Sequence, residues 1–354
     1  MKKLVHRFKT VPAVSARTSF FALLLFSVVA CADAGTERQT ERKPVDRNES
    51  AEVSDKISSL SDKILDKPNN PNLYISRALA YVDQGMYNLA LKDVDRAMVI
   101  DSTVSFFHAV RGEILFTSGE LRGARLSLEK AVEYDEENTE ALLKLGEVNF
   151  LLRRYPEAVR AIDAALQVNE RLAKGYFLKG YIFKEIGDTA KSVSSFRTAA
   201  EVNPEYFEAF MELGHIFAFR GDSMAKDYIE SALEINPNSA EALYHLGLYH
   251  QSKGEIGEAA EVYENMVRRD PNAYLGFYNL GYLYLTESDD YATALAYFDT
   301  VLTLQPQAID AMYNRGVCFE ELGDEEAAAE IFREVLKNDP QHTLAAKGLS
   351  RILE

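Results

Sequence analysis

The 354-residue chain is 47% hydrophobic and 27% charged, the composition of a folded protein. It carries 39 Lys+Arg against 55 Asp+Glu, a formal net charge of −16, so phosphate would repel it and a nucleic-acid partner is excluded. Two cysteines, Cys31 and Cys318, make no disulfide framework, and no HExxH, clustered Cys/His or GxxxxGK[ST] motif is present; the expectation is no enzyme, no cofactor and no metal.

From the N-terminus, five bases (Lys2, Lys3, Arg7, Lys9, Arg17) and no acid precede the apolar run FFALLLFSVVA at 20–30. Without the first thirty residues the chain holds 34 bases and 55 acids, or −21. The run is about half of what a membrane-spanning helix needs, and a basic start before a short apolar stretch and small residues reads as a secretory signal over 1–30. Val28-Val29-Ala30-Cys31 resembles the lipobox of bacterial lipoproteins. That resemblance implies cleavage before Cys31 and acylation of its thiol, giving a membrane anchor through lipid. Two or three acyl chains hold a protein firmly, at about 0.8 kcal/mol per buried CH₂. Ala32 stands where Asp would imply retention at the inner membrane, so the resemblance points to the outer membrane, facing the periplasm, in a Gram-negative host.

Residues 31–50 are polar and without hydrophobic period, as expected of a flexible tether. Val53, Ile57, Leu60 and Ile64 then form a helical stripe behind a candidate N-cap at Ser50, predicting a capping helix within 51–70.

From 71 to 342 the sequence repeats. Ala78, Gly112, Gly146, Gly180, Gly214, Gly247, Gly281 and Gly316 form one column at spacings of 33 to 35. Ala90, Ala124, Ala158, Ser192, Ala225, Ala259, Ala294 and Ala328 form a second. Two length slips fall between the columns, near Gly221 and Ser288-Asp289-Asp290, where a turn between helices is expected. Within each unit the apolar spacing is helical, Gly187 and Gly254 mark turns, and Pro204, Pro237, Pro271, Pro306 and Pro340 close five units.

With these columns and stretches such as YHLG (244–247), YNLG (278–281) and YNRG (313–316), the chain resembles the tetratricopeptide repeat (TPR) family. The resemblance implies an all-α fold: a right-handed superhelix (α-solenoid) of about eight helix-turn-helix repeats over 71–342, capped at both ends. Residues 343–354 are the C-terminal capping helix, with Leu349, Ile352 and Leu353 on its apolar face. The small columns are where helices cross, and Cys318 reads as a small core residue rather than a reactive thiol.

In this family the first helix of each pair lines the concave face, through repeat positions 2, 5, 9 and 12. Positions 5 and 9 supply Phe177, Tyr181, Met211, His215, Tyr244, Tyr278, Tyr282 and Tyr313 in repeats 4 to 8, and acids Glu113 and Glu147 in repeats 2 and 3. The aromatic strip is the expected groove for a protein or peptide partner, with His215 as a rim residue rather than a metal ligand. None of the sixteen residues is Lys, Asn or Arg, which speaks against the family's carboxylate clamp; Asn279 and Asn314 are too few for its asparagine ladder. The functional expectation is a scaffold or adaptor of the cell envelope. The alternative is a glycan- or peptidoglycan-binding module that uses the same tyrosines.

Overall fold

Alternation of apolar period and turn residues builds helices only. The computed structural model describes residues 47–354, and among them are eighteen α-helices and no strand. The signal, Cys31 and most of the tether lie outside the described residues. No described helix is long and apolar enough to cross a membrane.

The described residues divide into two units, 47–188 and 189–354. The first holds α1 (Arg47–Asp66), α2 (Pro71–Asp83), α3 (Tyr87–Ile100), α4 (Ser105–Thr117), α5 (Leu121–Tyr134), α6 (Thr139–Leu151), α7 (Tyr155–Val168) and α8 (Ala173–Ile186). The second holds α9 (Thr189–Val202), α10 (Phe207–Phe219), α11 (Met224–Ile235), α12 (Ala240–Lys253), α13 (Ile256–Arg269), α14 (Tyr274–Thr286), α15 (Tyr291–Leu304), α16 (Ile309–Glu321), α17 (Glu325–Asn338) and α18 (Thr343–Leu353). Between residues 71 and 342 the helices number sixteen.

The punctuation has identifiable chemistry. The turn between the two helices of a pair needs one left-handed residue, and six pairs place glycine there, such as Gly85 at φ 68° and Gly254 at φ 76°. Arg153 (φ 57°) and Asp289 (φ 54°) take that place in the third and seventh pairs. Both length slips sit in these turns, between α10 and α11 and between α14 and α15, and leave the helices whole. Asn236, Asp270 and Asp339 each end a helix in an extended or near-extended conformation before proline. Their side chains accept the backbone N–H two residues on. Asn138 and Ser239 then cap the next first helix by accepting from the N–H of Ala141 and Ala242.

Each crossing is built from the two small columns. A Cβ on Gly112 would lie 2.7 Å from Leu128 Cγ, on Gly214 2.8 Å from Ile229 Cγ1, and on Gly316 2.7 Å from Phe332 Cε1. Real Cβ atoms do not approach so closely, which is why the column is glycine. Second-column alanines, such as Ala124, Ala225, Ala259 and Ala328, are fully buried against them. Cys318 is fully buried beside Phe298 and Val301, and burial, with Asp299 nearby, pushes its thiol up to about 12, so it stays protonated.

Two terminal details differ from the sequence expectation. The first helix begins at Arg47, so Ser50 lies inside α1 rather than capping it. Its stripe does face the core, with Leu60 and Ile64 buried. In α18, Leu349 and Ile352 pack on Phe332 and its neighbours, but Leu353 is 65% exposed because the helix ends there.

Candidate functional site

The first helix of each pair presents one face that its partner helix does not cover. In the first unit, α2, α4, α6 and the start of α8 together line a concavity of about 450 Å³. Leu79, Phe106, Ala109 and Leu143 supply apolar surface, and Glu113, Glu140, Lys144 and Lys174 supply charge. Leu79 is 41% and Phe106 53% exposed, and both line this one concavity rather than lying scattered on the surface. Lys144 organises the charges: its Nζ lies 3.2 Å from both Glu113 Oε2 and Glu147 Oε2, and 4.3 Å from the centre of the Phe116 ring. Lys174 approaches Glu147 to 3.9 Å. Glu147 is therefore a buried, compensated carboxylate rather than a free acid of the groove.

In the second unit the corresponding face belongs to α10, α12, α14 and α16. Tyr244, Tyr278, Tyr282 and Tyr313 are half-buried there. Tyr278 packs edge-on against Phe298 at 5.8 Å, and its hydroxyl accepts a hydrogen bond from Asn314 Nδ2 at 3.1 Å. Tyr313 lies between Phe332, at 5.8 Å, and His342, at 5.0 Å. Burial raises the pKa of all four hydroxyls above the ordinary tyrosine range. Asp310 beside Tyr278 and Glu287 beside Tyr282 push the same way. The Tyr278 and Tyr282 hydroxyls are thus neutral groups next to acids.

At the α10–α12 end of this face the His215 ring lies 4.2 Å from that of His245, and its Nε2 is 3.9 Å from Glu241 Oε1. Burial, and then proximity to His215, lowers the pKa of His245 to about 3. Burial, with Glu212 and Glu208 nearby, raises that of Glu241.

The predicted strip is thus divided by burial. Tyr244, Tyr278, Tyr282, Tyr313 and His215 keep accessible surface, whereas Phe177, Tyr181 and Met211 are 6%, 8% and 3% exposed. Phe177 and Tyr181 pack edge to face at 5.0 Å in α8, and Met211 packs on Ile229 and Leu246. Their apolar bulk is spent on the core. His215 is not the solitary rim histidine expected, because Glu241 and His245 lie about thirty residues on, in the next repeat. The groove of the first unit was missed because attention to positions 5 and 9 passed over Phe106, Glu140 and Lys174 at position 2.

A family model described as "Tetratricopeptide repeat" matches residues 110–174, 223–274 and 278–343, more than half of the chain, and a second of the same description matches 173–206. The chain belongs to the tetratricopeptide repeat family. It is 23% identical over 303 residues to human Superkiller complex protein 3, covering 81% of this chain and 19% of that protein. It is 25% identical over 300 residues to a TPR repeat-containing protein of Methanocaldococcus jannaschii, covering 84% of this chain and 50% of the relative. The chain thus spans from a fifth to half of these relatives' lengths. Among solved structures, the C-terminal part of a TPR repeat-containing protein from Cytophaga hutchinsonii superposes with a TM-score of 0.53 at 20% identity, covering 64% of this chain and 95% of that one. That likeness concerns the fold.

Proposed function

We propose that the chain is a lipid-anchored scaffold of a bacterial cell envelope that holds a protein or peptide partner on its first-helix faces, and that it is not an enzyme. The carrying observation is the groove of the first unit, where Phe106 and Leu79 stand exposed among Glu113, Glu140, Lys144 and Lys174. An apolar floor with charges of both signs at its rim suits a segment that inserts a large apolar side chain between charged residues. The tyrosine row of the second unit is the second contact surface. Its neutral Tyr278 and Tyr282 hydroxyls beside Asp310 and Glu287 suit a basic segment. A glycan partner is less favoured, because the Tyr278 and Tyr313 rings are already engaged with Phe298, Phe332 and His342.

The two surfaces are separable with a partner recovered by crosslinking from envelopes. Phe106→Ala with Leu79→Ser is expected to weaken binding at least tenfold, since an aromatic anchor contributes about 2 kcal/mol or more. Both side chains are substantially exposed, so helix content and melting should be retained. Tyr282→Ala with Tyr278→Phe tests the second surface while keeping the Tyr278–Phe298 ring contact. Loss from only one pair assigns the partner to that unit, and full binding by both double variants would end the first-helix reading.

The anchor is tested separately. Cys31→Ser should abolish incorporation of labelled palmitate and move the protein out of the membrane fraction. Undiminished labelling of the variant would refute the lipobox assignment.

A further inference from the structure

We propose that His215, Glu241 and His245 form a zinc-ion site that joins two successive repeats. A ligand atom from each of the three lies within 4.8 Å of the other two. The local reason is helical: Glu241 and His245 are four residues apart on α12, hence on one face, and His215 approaches from α10. Two imidazoles and one carboxylate are a donor set that zinc accepts, with three protein ligands and a fourth position left for water or a partner's side chain.

The distances decide how much must move. Ligands at about 2.0–2.2 Å from a tetrahedral ion stand about 3.3–3.5 Å from one another. His215 Nε2 and Glu241 Oε1 are already at 3.9 Å and no pair of the three donors exceeds 4.8 Å, so the donors must close by about 0.5–1.5 Å to reach ion-bound spacing. The His215 and Glu241 side chains retain 28% and 51% of their exposure, with His215 Nε2 itself turned to the buried side of the cluster, so an ion reaches the site from the Glu241 side. Glu208 and Glu212 add negative charge around Glu241, which favours a cation and disfavours an anion.

The test uses the full chain, stripped with a chelator and titrated with Zn²⁺ by calorimetry. Co²⁺ serves as the spectroscopic stand-in. The expected result is one Zn²⁺ per chain, a rise in melting temperature with added Zn²⁺, and an intense four-coordinate visible spectrum with Co²⁺. His215→Gln, His245→Gln and Glu241→Gln should each weaken binding at least tenfold, and His108→Gln should not. Glu241 is exposed, so Glu241→Gln keeps the test valid should a histidine variant unfold. Wild-type affinity in Glu241→Gln or in His215→Gln overturns the three-ligand site, as does the absence of saturable binding in the wild type.

Discussion

Gly247→Ala is expected to lower the stability of the second unit by up to about 2 kcal/mol, although alanine is the better helix former. A methyl at residue 247 would fall within the Tyr263 ring. That ring cannot retreat: it is fully buried between α12 and α13, packs on Leu280 and Leu283, and its hydroxyl donates to Gln251 Oε1 at 3.3 Å. Overpacking costs about 1–3 kcal/mol, against about 1 kcal/mol gained in helix propensity, so the steric effect wins. The matched control is Gly257→Ala in the first turn of α13, where the added Cβ meets nothing within 4 Å. That variant should be neutral or stabilising by a few tenths of a kcal/mol. Melting curves check both, at about 2–4 °C per kcal/mol for a domain of this size. An unchanged melting temperature for Gly247→Ala would sink the close-crossing explanation of the glycine column.

Removing the Arg77 side chain should cost more. Its Nε and Nη2 each lie 2.7 Å from a different oxygen of Asp93, a two-point pairing of α2 with α3, and its Nη1 donates to Ser61 Oγ in α1 at 2.9 Å. Asp93 is 6% exposed, so Arg77→Ala would leave a buried carboxylate without its counter-ion. Breaking a fully buried pair costs about 3–5 kcal/mol. Arg77 keeps 19% of its side-chain exposure, so we expect about 2–3 kcal/mol. Arg77→Ala with Asp93→Ala should recover part of the loss, because no charge is then stranded. Urea unfolding of the three variants reads this directly. A double variant no more stable than Arg77→Ala would show that the loss comes from packing alone.

The repeat was legible because its signals are local. Where the column holds glycine, as at Gly112 and Gly316, it answers to one facing side chain, Leu128 and Phe332, and chain length keeps that pairing in step. Prolines 204, 237, 271, 306 and 340 likewise end helices through the geometry of their own neighbours. The surface was harder to read. A consensus aromatic is open or buried according to what packs over it, which separates Tyr282 from Met211. The same limit hid the meeting of His215 with His245, and the capture of Glu147 by Lys144 within an apparently acidic repeat.

The connectivity has a kinetic consequence. Among the described residues every substantial contact between helices joins elements one or two apart in the chain, so there no such contact awaits the arrival of a distant segment. Loop-closure entropy is then low at each step, the condition under which helical proteins fold fastest. A chain emerging from its N-terminus can set α1 on α2 and α3, through Ser61, Arg77 and Asp93, before the later repeats exist. Each new pair then finds a finished surface to dock on, and the order of synthesis becomes the order of assembly.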